Sequence, residues 1–283
     1  MSLTLRPLSP TIGAEVIGVP LDADLDDATV QQIVSAWHDH NVLLFRGQDL
    51  STERQLRFGR AFGELERVRT RPEDGATDQY VMFVANTKVE GKDGVLPDGE
   101  MFFHSDQCYY ETPCKATILY AIEIPDDGGN TIFANTYDAW STLPTKLQQR
   151  LWGREALNLY DYDAGATKPP EQASPDAPRF IHPVVVRHPD TGRPALYVNR
   201  LMTSEVVGME KEESDALLAE LFDHQEQPRF TYEHAWQPGD LVIWDNRATL
   251  HARTDFDPDQ TRVLRRVTVK GERPSAPDGC NQS

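Results

Sequence analysis

Residues 101–135 read MFFHSDQCYYETPCKATILYAIEIPDDGGNTIFAN. Two apolar, β-rich runs, KATILYAI at 115–122 and TIFANT at 131–136, are joined by the polar glycine turn DDGGN at 126–130, the pattern of paired strands. Ahead of them, FFHSDQ sets His104 and Asp106 two residues apart. On an extended segment such positions face the same way, so one imidazole and one carboxylate converge on a point. That supplies two of the three donors of a facial metal triad, which suits non-haem Fe(II) and leaves three coordination positions open. The bland alternative for so short a pair is a surface His beside an Asp.

A third donor is needed, and His251 is the best candidate. In GDLVIWDNRATLH a polar turn leads into an apolar strand, then into a loop ending at this histidine. The alternative is a partly buried histidine near a strand end. That alternative suits the other six better: His38 and His40 on a helix, His182 and His188 flanking a strand, His224 and His234 near charged segments.

Strand-like runs lie to either side: AEVIGV at 14–19, VLLFR at 42–46, YVMFVANT at 80–87, PVVVRH at 183–188, ALYVN at 195–199, FTYEHAW at 230–236 and RVLRRVTVKG at 262–271. Residues 26–40 space Val30, Ile33, Val34 and Trp37 as a helix, with Asp26 or Asp27 as its cap. Residues 51–62 repeat the pattern, capped by Ser51 or Thr52 and stopped by Gly63. Residues 136–158 and 212–226 also read as helical. The glycine-rich stretch 91–99 is expected to be a mobile loop, and 161–179 a surface insertion shaping the pocket with the polar segment 66–100. No linker divides the chain, so one α+β domain over 1–272, built on a β-sandwich or barrel, is expected, with a disordered tail over 273–283.

Arg and Lys number 28 against 45 Asp and Glu, a net charge of −17, and this disfavours nucleic acid and acidic membrane surfaces as partners. It leaves a small anionic substrate open, since a pocket can be locally basic. No run approaches ~18 apolar residues, and the start has no long apolar segment, so neither a membrane span nor a signal peptide is expected. Cys108, Cys114 and Cys280 form no CxxC pair, which points away from disulfides and structural zinc and towards the cytoplasm.

The dispersed motifs resemble, in order and across nearly the whole chain, the Fe(II)/2-oxoglutarate-dependent dioxygenases of the taurine dioxygenase and 2,4-dichlorophenoxyacetate dioxygenase group. They run from GAEVIGV through VLLFRGQDLSTERQLRFGRAFGEL, FHSDQCYYETPCKATILYAIEIPDDGGNTIFAN and HPVVVRHPDTGRPALYVN to WQPGDLVIWDNRATLHAR and RVLRRVTVKG. The resemblance implies a double-stranded β-helix, or jelly roll, with flanking helices. It implies His104, Asp106 and His251 as iron ligands, with 2-oxoglutarate and O2 as co-substrates. Thr131 of GGNT and Arg262, eleven residues beyond His251, then hold the distal 2-oxoglutarate carboxylate, and Arg266 a substrate anion. An arginine fork matches a planar carboxylate. Arg262 and Arg266, four apart, are expected on one strand face, with Arg265 the next suspect; solvated surface arginines are the alternative.

The implied reaction is oxygenation of a small organic acid with release of succinate and CO2: hydroxylation, with C–heteroatom cleavage when the hydroxyl lands beside the heteroatom. A desaturase or cyclase on the same site, and a non-catalytic cupin-like metal-binding or sensor protein, are the rivals. Asp106 argues against halogenation. Relatives of this kind are often dimers or tetramers, so a homo-oligomer is expected. Where the taurine enzyme places a sulfonate-binding histidine, this chain has Val68, beside Glu66 and Arg67, and Glu100 stands four before His104. Taurine is therefore not the expected substrate. Phe102, Phe103, Tyr109 and Tyr110 suggest a larger, more apolar one.

Overall fold

The computed structural model describes residues 3–68, 80–89, 91, 94–95, 99–163 and 166–279. Seven strands form one sheet in the order Thr4–Pro7, Ala14–Ile17, Val42–Phe45, Leu241–Asp245, Ala116–Glu123, Val263–Val269 and Met82–Ala85. Every pairing in it is antiparallel except that of Ala14–Ile17 with Val42–Phe45. A second, four-stranded antiparallel sheet runs Thr231–His234, Thr131–Asn135, Thr249–Arg253, Met101–His104.

The large sheet is covered on both faces, which is why its central strands are almost continuously apolar. On Val42–Phe45, Val42 and Leu44 point to an inner core with Leu119, Val242, Trp244, Leu264 and Phe133 of the other sheet. Leu43 and Phe45 point outward, where Trp37 of helix Asp27–His40 and Phe58 of helix Thr52–Arg60 cover them. Both helices start at the expected caps: Asp26 accepts from the Thr29 N–H at 2.7 Å and Ser51 from the Arg54 N–H at 3.2 Å. Helix Lys211–Gln225 packs with Thr136–Ser141 and Thr145–Leu151 around a separate core.

Four expectations need correction. The helix expected over 136–158 is two short helices and a strand. Pro144, which has no N–H and disfavours helical backbone before it, separates Thr136–Ser141 from Thr145–Leu151. Gly153, at φ 75°, turns the chain into strand Glu155–Leu159, which pairs with Arg179–Pro183 and Thr203–Val206. His251 lies within strand Thr249–Arg253, not at the end of a loop, and His182 lies within a strand instead of flanking one. Residues 273–279, expected to be disordered, run against strand Val185–Arg187: the Arg187 N–H donates to the Ser275 carbonyl at 2.8 Å, and Pro277 is buried. Residues 280–283, including Cys280, and most of the loop at 91–99 lie outside the described residues. No helix among the described residues is long and apolar enough to cross a membrane.

Candidate active site

Antiparallel register sets His251 directly opposite His104, so two edge-to-edge strands deliver two imidazoles to one place. Their ring centroids are 4.0 Å apart. Just beyond the strand that ends in His104, Asp106 turns its carboxylate back between them. Its Oδ1 lies 3.9 Å from the Nε2 of each histidine. One donor atom from each residue falls within 4.8 Å of the others, the single such group of His, Cys, Asp or Glu among the described residues. His104 Nδ1 lies 2.9 Å from the Phe102 carbonyl. A carbonyl only accepts, so Nδ1 carries the proton and Nε2 offers its lone pair to the centre.

Charge follows burial. Burial first, then the neighbouring His104, pushes His251 down to about 3, and burial likewise lowers His104. Burial alone would raise Asp106, but the Arg266 guanidinium, the two imidazoles and the Thr117 hydroxyl outweigh it and hold the carboxyl below its ordinary range. At neutral pH the centre is two neutral imidazoles and one carboxylate, a donor set that fits a divalent cation without displacing protons.

The turn carrying Asp106 is held by residues that sequence reasoning missed. Asn246 accepts the Asp106 N–H at 2.7 Å and donates to the carbonyls of Asp106 and Cys114 at 2.8 Å each. Thr117 donates its hydroxyl to Asp106 Oδ2 at 2.7 Å. Trp244 packs 4.7 Å from the His251 ring. The one signal for Asn246 was its place in WDN. Thr117 sits unmarked in an apolar strand.

Cationic side chains lie near this centre, the charge of Arg253 acting on both His104 and Arg262. Arg262 is 2% exposed, and its Nε donates to the Gly129 carbonyl at 3.1 Å. Gly129 has φ 63°, and a Cβ there would come within 2.9 Å of that Nε, so GGNT needs its second glycine for both shape and space. Thr131, buried, accepts from Trp236 Nε1 at 3.0 Å, which leaves its own O–H free to donate. Burial first, and then the charge of Arg253, push Arg262 down to about 9. No acidic partner for Arg262 exists among the described residues, so a buried cation there calls for an anion. Arg253, two past His251 in HAR and across the ladder from Thr131, was also missed.

The remaining arginines divide. Arg265 turns to the helix side, donating to Gln55 Oε1 at 2.6 Å and the Leu50 carbonyl at 2.6 Å, which removes it as a pocket residue. Arg266 reaches Asp106 Oδ2 through Nη2 at 2.8 Å, and its buried Nε has no partner among the described residues. The simple relation expected of Arg262 and Arg266 is broken by a bulge between Val263 and Leu264, and Arg262 stands just before the strand. The Tyr109 ring packs at a tilt against those of Tyr110 and Tyr160, with centroids 4.6 and 4.5 Å away. Val68 is half-buried, Glu66 buried and Glu100 exposed.

A carboxylate flanked by two imidazoles is a group that can hold a metal ion, here in a mixed α/β protein. Comparison with known proteins supplies the family. The family model described as "Taurine catabolism dioxygenase TauD, TfdA family" matches residues 4–268. A pentalenolactone F synthase of Streptomyces avermitilis is 33% identical over 98% of this chain and 96% of its own length. An alpha-ketoglutarate-dependent sulfate ester dioxygenase of Pseudomonas putida is 34% identical over 99% and 93%. The crystal structure of AAD-2 in complex with Mn(II) and N-oxalylglycine superposes with a TM-score of 0.81 at 27% identity, covering 98% of this chain and 100% of that one. The chain belongs to the TauD/TfdA family. It is a 2-oxoglutarate-dependent dioxygenase, an oxidoreductase acting on a small organic substrate.

Proposed function

We propose that His104, Asp106 and His251 hold Fe(II), that Arg262 and Thr131 anchor 2-oxoglutarate, and that Arg266 receives an anionic group of the substrate. The convergence of three donor atoms within 4.8 Å, two neutral and one charged, carries this reading. With iron bound, the site supplies activation of O2, coupled to conversion of 2-oxoglutarate to succinate and CO2, and oxygenates a substrate C–H bond. The protein's part is binding and orientation. Arg262 offers a fork for the distal carboxylate, Thr131 adds a neutral donor oriented by Trp236, and no protein acid or base is required.

The unpartnered Nε of Arg266 supports the substrate assignment, since one nitrogen is used on Asp106 and other donors remain. The tyrosines at 109, 110 and 160 favour a substrate with a larger apolar body than taurine. The buried Arg262 argues against a non-catalytic metal protein, which has no use for a co-substrate anchor. The facing seven- and four-stranded sheets fit a jelly roll within one domain over 1–272. A cytoplasmic homo-oligomer completes the reading. Succinate release from 2-oxoglutarate with Fe(II), stimulated by a member of a panel of sulfonates, sulfate esters, aryloxyalkanoates and amino acids, tests it. No succinate under any condition defeats it.

A further inference from the structure

We infer that Thr117 is a positioning residue that confines Asp106 to a single-oxygen contact with the metal. The inference rests on the reading of His104, Asp106 and His251 as the ligand set. The two oxygens of Asp106 have different surroundings. Oδ1 stands 3.9 Å from both imidazole Nε2 atoms, at the point where the three donors converge. Oδ2 takes two other donors, the Thr117 hydroxyl at 2.7 Å and Arg266 Nη2 at 2.8 Å. These two donors take up the lone pairs of Oδ2, so an ion that used this oxygen as well would compete with them.

The Thr117 contact is the permanent one of the two. Thr117 has no exposed surface and lies in the middle of the large sheet, on strand Ala116–Glu123. A carboxylate only accepts, so the one hydroxyl hydrogen of Thr117 is committed to Asp106. Cys114 Sγ, 3.8 Å from Thr117 Oγ1, is then the donor in that contact, and burial raises its thiol so that it keeps its hydrogen. Direction therefore runs from Cys114 through Thr117 to Asp106. Arg266, by contrast, spends one nitrogen on Asp106 and in the proposed reading shares its guanidinium with a substrate anion. Asn246 fixes the same residue by its backbone, clamping the N–H and the carbonyl of Asp106 at 2.7 and 2.8 Å.

The chemical consequence concerns the open positions. A carboxylate binding through both oxygens would take one of the three positions that a chelating co-substrate and O2 require. A hydroxyl held on Oδ2 keeps that position clear. Groups that orient metal ligands in this way typically alter metal affinity or activity ~10–100-fold when removed.

Thr117→Val keeps the branched shape and removes only the hydroxyl. The probe is Mn(II), measured by equilibrium dialysis on the full chain without 2-oxoglutarate, with the thermal midpoint of the metal-free protein as the check on folding. Freed of the hydroxyl, the carboxylate gives the ion its second oxygen, so Mn(II) alone binds Thr117→Val at least as tightly as the unaltered protein. The expected loss is in the co-substrate: 2-oxoglutarate affinity of the Mn(II)-loaded protein falls ~10–100-fold in Thr117→Val and stays close to the unaltered value in Thr117→Ser. Should the valine variant not fold, Thr117→Ala against Thr117→Ser makes the same comparison. Equal 2-oxoglutarate affinity in Thr117→Val and the unaltered protein overturns the inference, as does a serine variant as weak as valine. An unaltered protein that binds no Mn(II) removes the ligand reading, and this inference with it.

Discussion

Replacing Arg262 by Gln isolates the co-substrate anchor, because it deletes a charge and keeps an amide within reach of Gly129. In the protein without 2-oxoglutarate, Arg262 is a buried cation beside Arg253, with one backbone acceptor and no counter-charge among the described residues. Removing it relieves an unfavourable burial, so the ligand-free protein keeps its thermal stability. With 2-oxoglutarate bound, the same change deletes a charge-assisted contact worth about 1.5–3 kcal/mol, a ~10–150-fold rise in the dissociation constant. Titration of the Mn(II)-loaded protein with 2-oxoglutarate, followed by calorimetry, gives that constant directly, and the KM from succinate formation follows it. A destabilised protein whose 2-oxoglutarate affinity is unchanged would refute the reasoning, for it would make Arg262 a structural cation.

Three further outcomes are expected. Arg266→Gln raises the KM of the primary substrate by ~10–150-fold, leaves 2-oxoglutarate affinity nearly unchanged, and raises the share of 2-oxoglutarate consumed without product; loss of 2-oxoglutarate affinity at an unchanged substrate KM overturns the assignment. Because His251 is held down at about 3 and His104 is lowered too, Mn(II) affinity stays level between pH 7 and pH 6; ordinary imidazoles near 6.5 would weaken it about tenfold over that step. For the same reason the metal-free fold loses stability as pH falls from ~6.5 towards the lowered value of His251, since protons bind the unfolded chain more readily, and a urea midpoint that is flat across that range would contradict it.

What could be read from the sequence was what short spacing or local capping encodes. His104 and Asp106 are two apart, the first ending a strand and the second in the turn just beyond it, and Asp26 and Ser51 sit directly before amphipathic helices. The helix expected over 136–158 failed because the pairing of Glu155–Leu159 on both sides outweighs local preference. The support around Asp106 was invisible for a different reason. Thr117 and Asn246 come from two neighbouring strands of the large sheet and its following loop, 11 and 140 residues away along the chain. Only the register of those strands brings them under the ligand turn. Arg265 and Arg266 are adjacent in sequence and alike in type, and the alternation of the strand sends one to the helices and the other to the site.

Metal stoichiometry reaches the heart of the proposal without needing the substrate. Purified protein, stripped of metal and dialysed against Mn(II), is expected to bind one ion per chain. His104→Ala and His251→Ala, each confirmed as folded, are expected to bind none at the same concentration and to release no succinate with Fe(II). One ion per chain in both variants, held as tightly as in the unaltered protein, would show that the metal lies elsewhere.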